Sequence, residues 1–104
     1  MTASLLRIKP ILSLDDEGSV VLIGRVHGER HALQSIVDYV ARRTDGHDCL
    51  QLAVMEADAR EQAAELRELA LQKMQPVETF DSEFTPVMGV HTGPGLVGLG
   101  YCYE

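Results

Sequence analysis

Two segments with helical periodicity, separated by one alternating segment, constrain the fold of this chain more than any other feature. In residues 28–43 and 58–74, apolar residues recur every three or four positions, which is the spacing of one face of an α-helix. Residues 48–55 alternate instead, which indicates a half-buried strand whose aliphatic positions are Leu50, Leu52 and Val54. A helix with one apolar face must bury that face against another element. The pattern therefore predicts helices packed on a sheet.

Local signals predict where both helices begin and end. Asp58 and Glu61 have the spacing of a capping box, in which each side chain bonds the other residue's backbone amide at the helix start. Pro76 ends the second helix because proline lacks the amide donor that a helix requires. Gly46 ends the first helix, after two arginines that suit a helix carboxyl end.

Further strands are predicted on both sides of this central part. Residues 6–14 and 19–26 read as a hairpin, residues 77–80 as a short strand, and residues 96–103 as a final strand with regularly spaced glycines. Thr85 and Pro86 predict a brief helical turn over 85–88. The fold class predicted is α+β: a two-layer sandwich with one mixed or antiparallel β-sheet of about five strands and two main helices on one face. All 104 residues are predicted to form one domain.

Charge and cysteine usage exclude several classes of partner. The net charge of −7, with no local cluster of Lys or Arg, repels nucleic acid and anionic membrane surfaces. No stretch approaches the ~20 apolar residues that cross a bilayer, so no membrane span is predicted. Cys49 and Cys102 lie far apart in the sequence and lack metal-ligand spacing. We therefore expect two reduced, partly buried thiols in a cytoplasmic protein.

His91 is the leading candidate for a functional side chain. It precedes Thr92 and a Gly93-Pro94-Gly95 turn, and apolar residues continue on both sides. Glycines let a ligand approach the main chain, proline stiffens the turn, and an imidazole that titrates near physiological pH can contact a carboxylate. The alternatives are a structural hydrogen-bonding histidine and a plain tight turn between elements. The segment is not a phosphate loop, because Pro94 removes one amide and no lysine follows.

The sequence predicts a binding protein rather than an enzyme, with no cofactor and no metal. No serine or cysteine stands in a recognisable nucleophile setting. His27 and His31 are four residues apart, but Gly28 interrupts them and a third ligand at suitable spacing is missing. Arg25, at the end of the second strand, is a candidate for pairing with an anion or a protein partner.

Several blocks of the sequence form a recognisable series along the chain. They are residues 6–12 (LRIKPIL), 24–26 (GRV), 32–33 (AL), 87–95 (VMGVHTGPG) and 98–101 (GLGY). In this order the blocks resemble the carboxyl-terminal half of DegV-family proteins, and the resemblance covers nearly all of the chain. The most specific block is His-Thr-Gly-Pro-Gly.

This resemblance implies a lipid-binding function. Members of the family are two-domain bacterial proteins that bind a long-chain fatty acid between their domains, and some present it to a kinase partner. By resemblance, His91 helps to hold the carboxyl head group. The other ligand-facing residues that it implies are Met88, Thr92, Gly93, Pro94 and Gly95.

The resemblance also implies that half of the site is missing, because the amino-terminal domain of such proteins has no counterpart in this chain. The chain is then either an isolated domain or a natural protein reduced to that half. His27 stands where relatives tend to carry a basic residue, and with Arg25 it is a candidate partner contact. An apolar face left uncovered predicts a homo-oligomer or pairing with the missing domain or a kinase. The alternative function is a non-enzymatic interaction module that uses the same face without binding lipid.

Overall fold

Two helices and five strands make up the part of the chain that the structure describes. The structure is a computed structural model and describes residues 8–14, 19–83 and 96–104. The helical turn predicted at 85–88 lies outside the described residues. The elements in chain order are β1 (Ile8–Leu14), β2 (Val20–His27), α1 (Glu29–Thr44), β3 (Gln51–Ala57), α2 (Arg60–Lys73), β4 (Glu78–Glu83) and β5 (Leu96–Cys102).

The strands form two sheets, where the sequence predicted one. β1 and β2 form an antiparallel hairpin, and the second sheet has the order β4-β3-β5, with β3 parallel to β4 and antiparallel to β5. The α+β class, the five strands and the two helices are confirmed. The hairpin register shifts between Ile11 and Leu12. Such a bulge bends and twists the strand that contains it, and the hairpin packs beside α1 rather than extending the larger sheet.

The core lies between the two helices and one face of β3. The largest fully buried side chains are Leu33 and Val37 of α1, Leu52 and Val54 of β3, and Leu66 of α2. They belong to one continuous apolar cluster, so both helices cover the same face of the sheet, as predicted. The apolar residues that recur every three or four positions in the sequence therefore form the core-facing sides of the two helices.

The capping box predicted for α2 is wrong. Ala59 occupies the position before the helix, and α2 begins without a hydrogen bond from that residue's side chain. Asp58 has a positive φ of 54°, which turns its backbone away from a capping geometry. The carboxylate comes instead from β3, because Glu56 Oε2 accepts a hydrogen bond from the Ala59 amide at 2.7 Å. Local spacing alone did not reveal this partner.

Candidate functional site

The strand ends that flank residues 84–95 meet at one edge of the three-stranded sheet. Glu83, the last residue of β4, pairs with Glu56 of β3, and Leu96, the first residue of β5, pairs with Ala57. Both strand ends therefore lie beside the carboxyl end of β3, one on each side. Residues 84–95 lie outside the described residues, and with them every predicted ligand contact: Met88, His91, Thr92, Gly93, Pro94 and Gly95.

Within the described residues, both helices pack on one face of this sheet, and the opposite face carries no helix. Side chains alternate along a strand, so the neighbours of Leu52 and Val54 point away from the helices. We call this surface the outer face. Its residues are all half-buried or exposed, whereas Leu52 and Val54 are buried. By register, the outer face consists of Gln51, Ala53, Met55, Ala57, Glu78, Phe80, Leu96, Gly98, Gly100 and Cys102, together with Ser82.

Two glycines form the floor of the outer face. Gly100 pairs with Ala53, and Gly98 pairs with Met55. A Cβ atom added at Gly100 would lie 3.3 Å from Met55 Cε and 3.7 Å from Ala53 Cβ. Phe80, which is 48% exposed, stands on the β4 side of the same row. The result is a shallow apolar lane along β3 and β5, with the Met55 methyl group over Gly100 and Phe80 on the β4 side.

A row of hydrogen-bonded polar side chains crosses the far end of the lane. Cys102 Sγ donates to Gln51 Oε1 at 3.1 Å, and Gln51 Nε2 donates to Glu78 Oε1 at 3.2 Å. These three residues are paired across β5, β3 and β4. We call them the polar row. On β3 and β5 the outer face is thus apolar from the Leu96 end onward, and it is polar on all three strands at the opposite end.

The hairpin holds the two predicted partner contacts. Arg25 pairs with Pro10 and His27 with Ile8, so both side chains are on the same face of the hairpin, and both are exposed. His31 Nδ1 lies 3.0 Å from the His27 carbonyl oxygen. One nitrogen of the His31 imidazole is therefore engaged by the backbone of the same chain. Among the described residues, no three His, Cys, Asp or Glu side chains are grouped to hold a metal ion.

The hairpin also exposes many aliphatic side chains. Val20 is 62% exposed, and each hairpin strand pairs only with the other within the described ranges. The other exposed aliphatic residues of the hairpin are Ile8, Leu12, Val21, Leu22 and Ile23. A two-stranded hairpin of this kind is marginally stable in water without further cover.

An aromatic cluster joins α1 to the carboxyl end of β5. Arg43 lies over the Tyr39 ring at 5.4 Å and donates from Nε to the Tyr101 hydroxyl at 3.0 Å. This hydrogen bond and the nearby tyrosine hydroxyls raise the pKa of the Arg43 guanidinium above its ordinary value. Tyr103 stacks on His47 with ring centroids 3.8 Å apart. The cluster fastens the end of β5 to the helix layer.

The cysteines are more accessible than the sequence predicted. Cys49 and Cys102 are both free and both exposed, not partly buried. Cys49 has a positive φ of 55° in the loop before β3, and Cys102 is the last residue of an edge strand. No helix in the described ranges is long and apolar enough to cross a membrane.

Comparison with known proteins identifies the family. A family model described as that of uncharacterised proteins of the DegV family matches residues 1–104. The chain belongs to the DegV family. A DegV domain-containing protein of Clostridium acetobutylicum is 34% identical over 100 residues, which cover 91% of this chain and 34% of that protein. The DegV family, stated from the sequence as a resemblance, is thereby confirmed.

Two solved DegV structures are described as fatty-acid-binding. The protein from Thermus thermophilus is 30% identical to this chain, and the two structures superpose with a TM-score of 0.85. The match covers 98% of this chain and 36% of the Thermus chain. The protein from Streptococcus agalactiae is 27% identical, with a TM-score of 0.82. That match covers 95% of this chain and 35% of the Streptococcus chain. This chain thus spans about a third of the length of the DegV proteins that it matches.

Sequence reasoning missed the outer face as a candidate site. The signal was present in the glycines of β5 and in Ala53 and Met55, which alternate with the core positions of β3. Their meeting depends on the antiparallel pairing of β3 with β5. Periodicity within one strand does not specify which other strand it pairs with.

Proposed function

We propose that this DegV chain binds a long-chain fatty acid and that its outer face forms one wall of the acyl-chain site. The observation that supports this most is the apolar lane along β3 and β5, where Gly98 and Gly100 add no side chains and the Met55 methyl group lies over Gly100. Carbon atoms make favourable contact at about 3.5–4.0 Å, and a methylene chain can lie that close to the Gly100 backbone when the flexible Met55 side chain moves aside. The fatty-acid-binding descriptions of the Thermus and Streptococcus relatives agree with this use.

His91 is the proposed contact for the carboxyl head group. It precedes Leu96 by five residues, and the proposal assigns the head group to the Leu96 end of the lane. A head group held there leaves the acyl chain to run along β5 toward Gly100. Met88, Thr92, Gly93, Pro94 and Gly95 are the other proposed ligand contacts.

A second wall completes the site in this proposal. Each buried methylene contributes about 0.8 kcal/mol, and a chain on an open face buries only one side. The second wall is then another domain of DegV type or a second copy of this chain. The role is binding and presentation of the fatty acid without catalysis, in the cytoplasm, with Arg25 and His27 exposed for contact with a kinase or other partner.

Native mass spectrometry of the freshly purified protein tests the head-group contact. We expect fatty-acyl adducts on the wild-type chain and their loss in His91→Ala, because the carboxylate then loses its partner. His47→Ala is the matched control, since His47 is exposed beyond the opposite end of β3, and it should keep the adducts. If wild type and His91→Ala are both empty, the proposal is wrong.

A second candidate function is an interaction module that self-associates without lipid. The exposed aliphatic residues of the hairpin favour it, because contiguous apolar patches usually mark association surfaces. The same mass spectra distinguish the two functions. A dimer without adducts, in wild type and variant alike, supports the interaction module, whereas adducts that depend on His91 support fatty-acid binding.

A further inference from the structure

The polar row lies at the end of the outer face opposite Leu96, the end to which the proposed function assigns the head group. Gln51 is central, because its side-chain amide both accepts from Cys102 Sγ and donates to Glu78 Oε1. The row spans all three strands of the sheet. Between it and Leu96, every outer-face residue of β3 and β5 is apolar or glycine.

We propose that the polar row, with Gln51 at its centre, sets the upper limit on the length of the acyl chain. The proposal rests on the proposed fatty-acid binding. Methylenes that extended across the row would cover the Gln51 amide and the Glu78 carboxylate, and polar groups lose solvation when an apolar group covers them. A shorter chain that stops over Gly100 avoids this cost. The polar row therefore acts as a length-selecting end wall.

The dimensions of the sheet agree with such a limit. Leu96 and Gly100 are four residues apart, which corresponds to about 13 Å along a strand. An extended hydrocarbon chain advances about 1.25 Å per bond at ordinary carbon geometry. The apolar part of the lane therefore accepts roughly ten methylenes past Leu96. Longer chains meet the polar row.

The test replaces Gln51 and measures chain-length preference. Saturated fatty acids from myristate to arachidate compete with cis-parinaric acid for wild type, Gln51→Leu and Cys102→Val. We expect Gln51→Leu to improve the affinity for arachidate relative to palmitate by roughly tenfold, because leucine removes both hydrogen bonds and extends the apolar surface. Cys102→Val, which removes only one hydrogen bond of the row, should shift the preference in the same direction but less.

Gln34→Leu is the matched control. Gln34 Nε2 donates to Asp38 Oδ1 at 3.0 Å within α1, so the variant also breaks a glutamine–carboxylate pair, but away from the outer face. It should leave the length preference unchanged. If wild type binds fatty acids and Gln51→Leu keeps the wild-type preference, the length limit is wrong while fatty-acid binding stands. If wild type binds none, both proposals fail. An equal shift in Gln34→Leu also overturns the length limit.

Discussion

Replacing Leu66 by alanine lowers the free energy of unfolding by about 3 kcal/mol, within the ~2–5 kcal/mol seen for buried leucines. Leu66 is 0% exposed and lies in α2 within the cluster that joins both helices to β3. The variant loses apolar burial and leaves a cavity that surrounding side chains cannot fully close. Domains of this size have only about 5–15 kcal/mol of stability, so the loss is large. Urea denaturation should show a midpoint lowered by about 1.5 M.

Leu71→Ala is the control for this measurement. Leu71 belongs to the same helix but is 46% exposed, and alanine has the higher helix propensity. We expect a change below about 1 kcal/mol in either direction. Similar losses in the two variants would mean that α2 does not bury the face assigned to it.

Replacing Gly100 by leucine reduces fatty-acid affinity more than tenfold while leaving the fold intact. The new side chain would fill the lane where its Cβ already approaches Met55 Cε. Displacing two methylenes from contact costs about 1.6 kcal/mol at about 0.8 kcal/mol each, which is more than a factor of ten. Glycine is a poor residue in a strand interior, which offsets the small movement that a Cβ at 3.3 Å forces on the flexible Met55 side chain, so the urea midpoint should stay close to that of the wild type. Displacement of cis-parinaric acid measures the affinity.

Gly100→Ala and Gly24→Ala are the controls. They distinguish a loss of affinity caused by filling the lane from a loss caused by replacing any strand glycine. A methyl group at Gly24 of β2 meets no atom within 4 Å, and the hairpin is not part of the lane. We expect no change in affinity for Gly24→Ala, a small loss for Gly100→Ala and the large loss only for Gly100→Leu. Unchanged affinity in Gly100→Leu would place the acyl chain elsewhere.

Much of the fold was predictable because short-range patterns encode it. The spacing of Leu33, Val37 and Leu66 along their helices predicted the buried faces that the structure shows. The division into two sheets was not predictable in this way. It depends on which strands pair over long range, here β3 with β4 and β5, and the hairpin pairing is also irregular opposite Ile23. Likewise, the spacing of residues shows neither the hydrogen bond from the Ala59 amide to the Glu56 carboxylate nor the positive φ at Asp58.

The candidate site was predictable in part. The glycine-proline segment after His91 was found from the sequence, and its role as a head-group contact stays a prediction, since the segment lies outside the described residues. The outer face was not found, because Ala53, Met55 and Gly100 are adjacent only after the strands pair. Small and apolar residues in separate segments give no functional signal until the sheet brings them together.

The most direct test of acyl-chain binding on the outer face is an isotope-filtered NOE spectrum. The protein would carry labelled methionine and alanine methyl groups and would be mixed with palmitate. We predict intermolecular NOEs from the acyl methylenes to the Met55 and Ala53 methyl groups, which are half-buried on the outer face. NOEs to the methyl groups of Ala32 and Ala70, which are buried on the helices, without any to Met55 or Ala53, would contradict it.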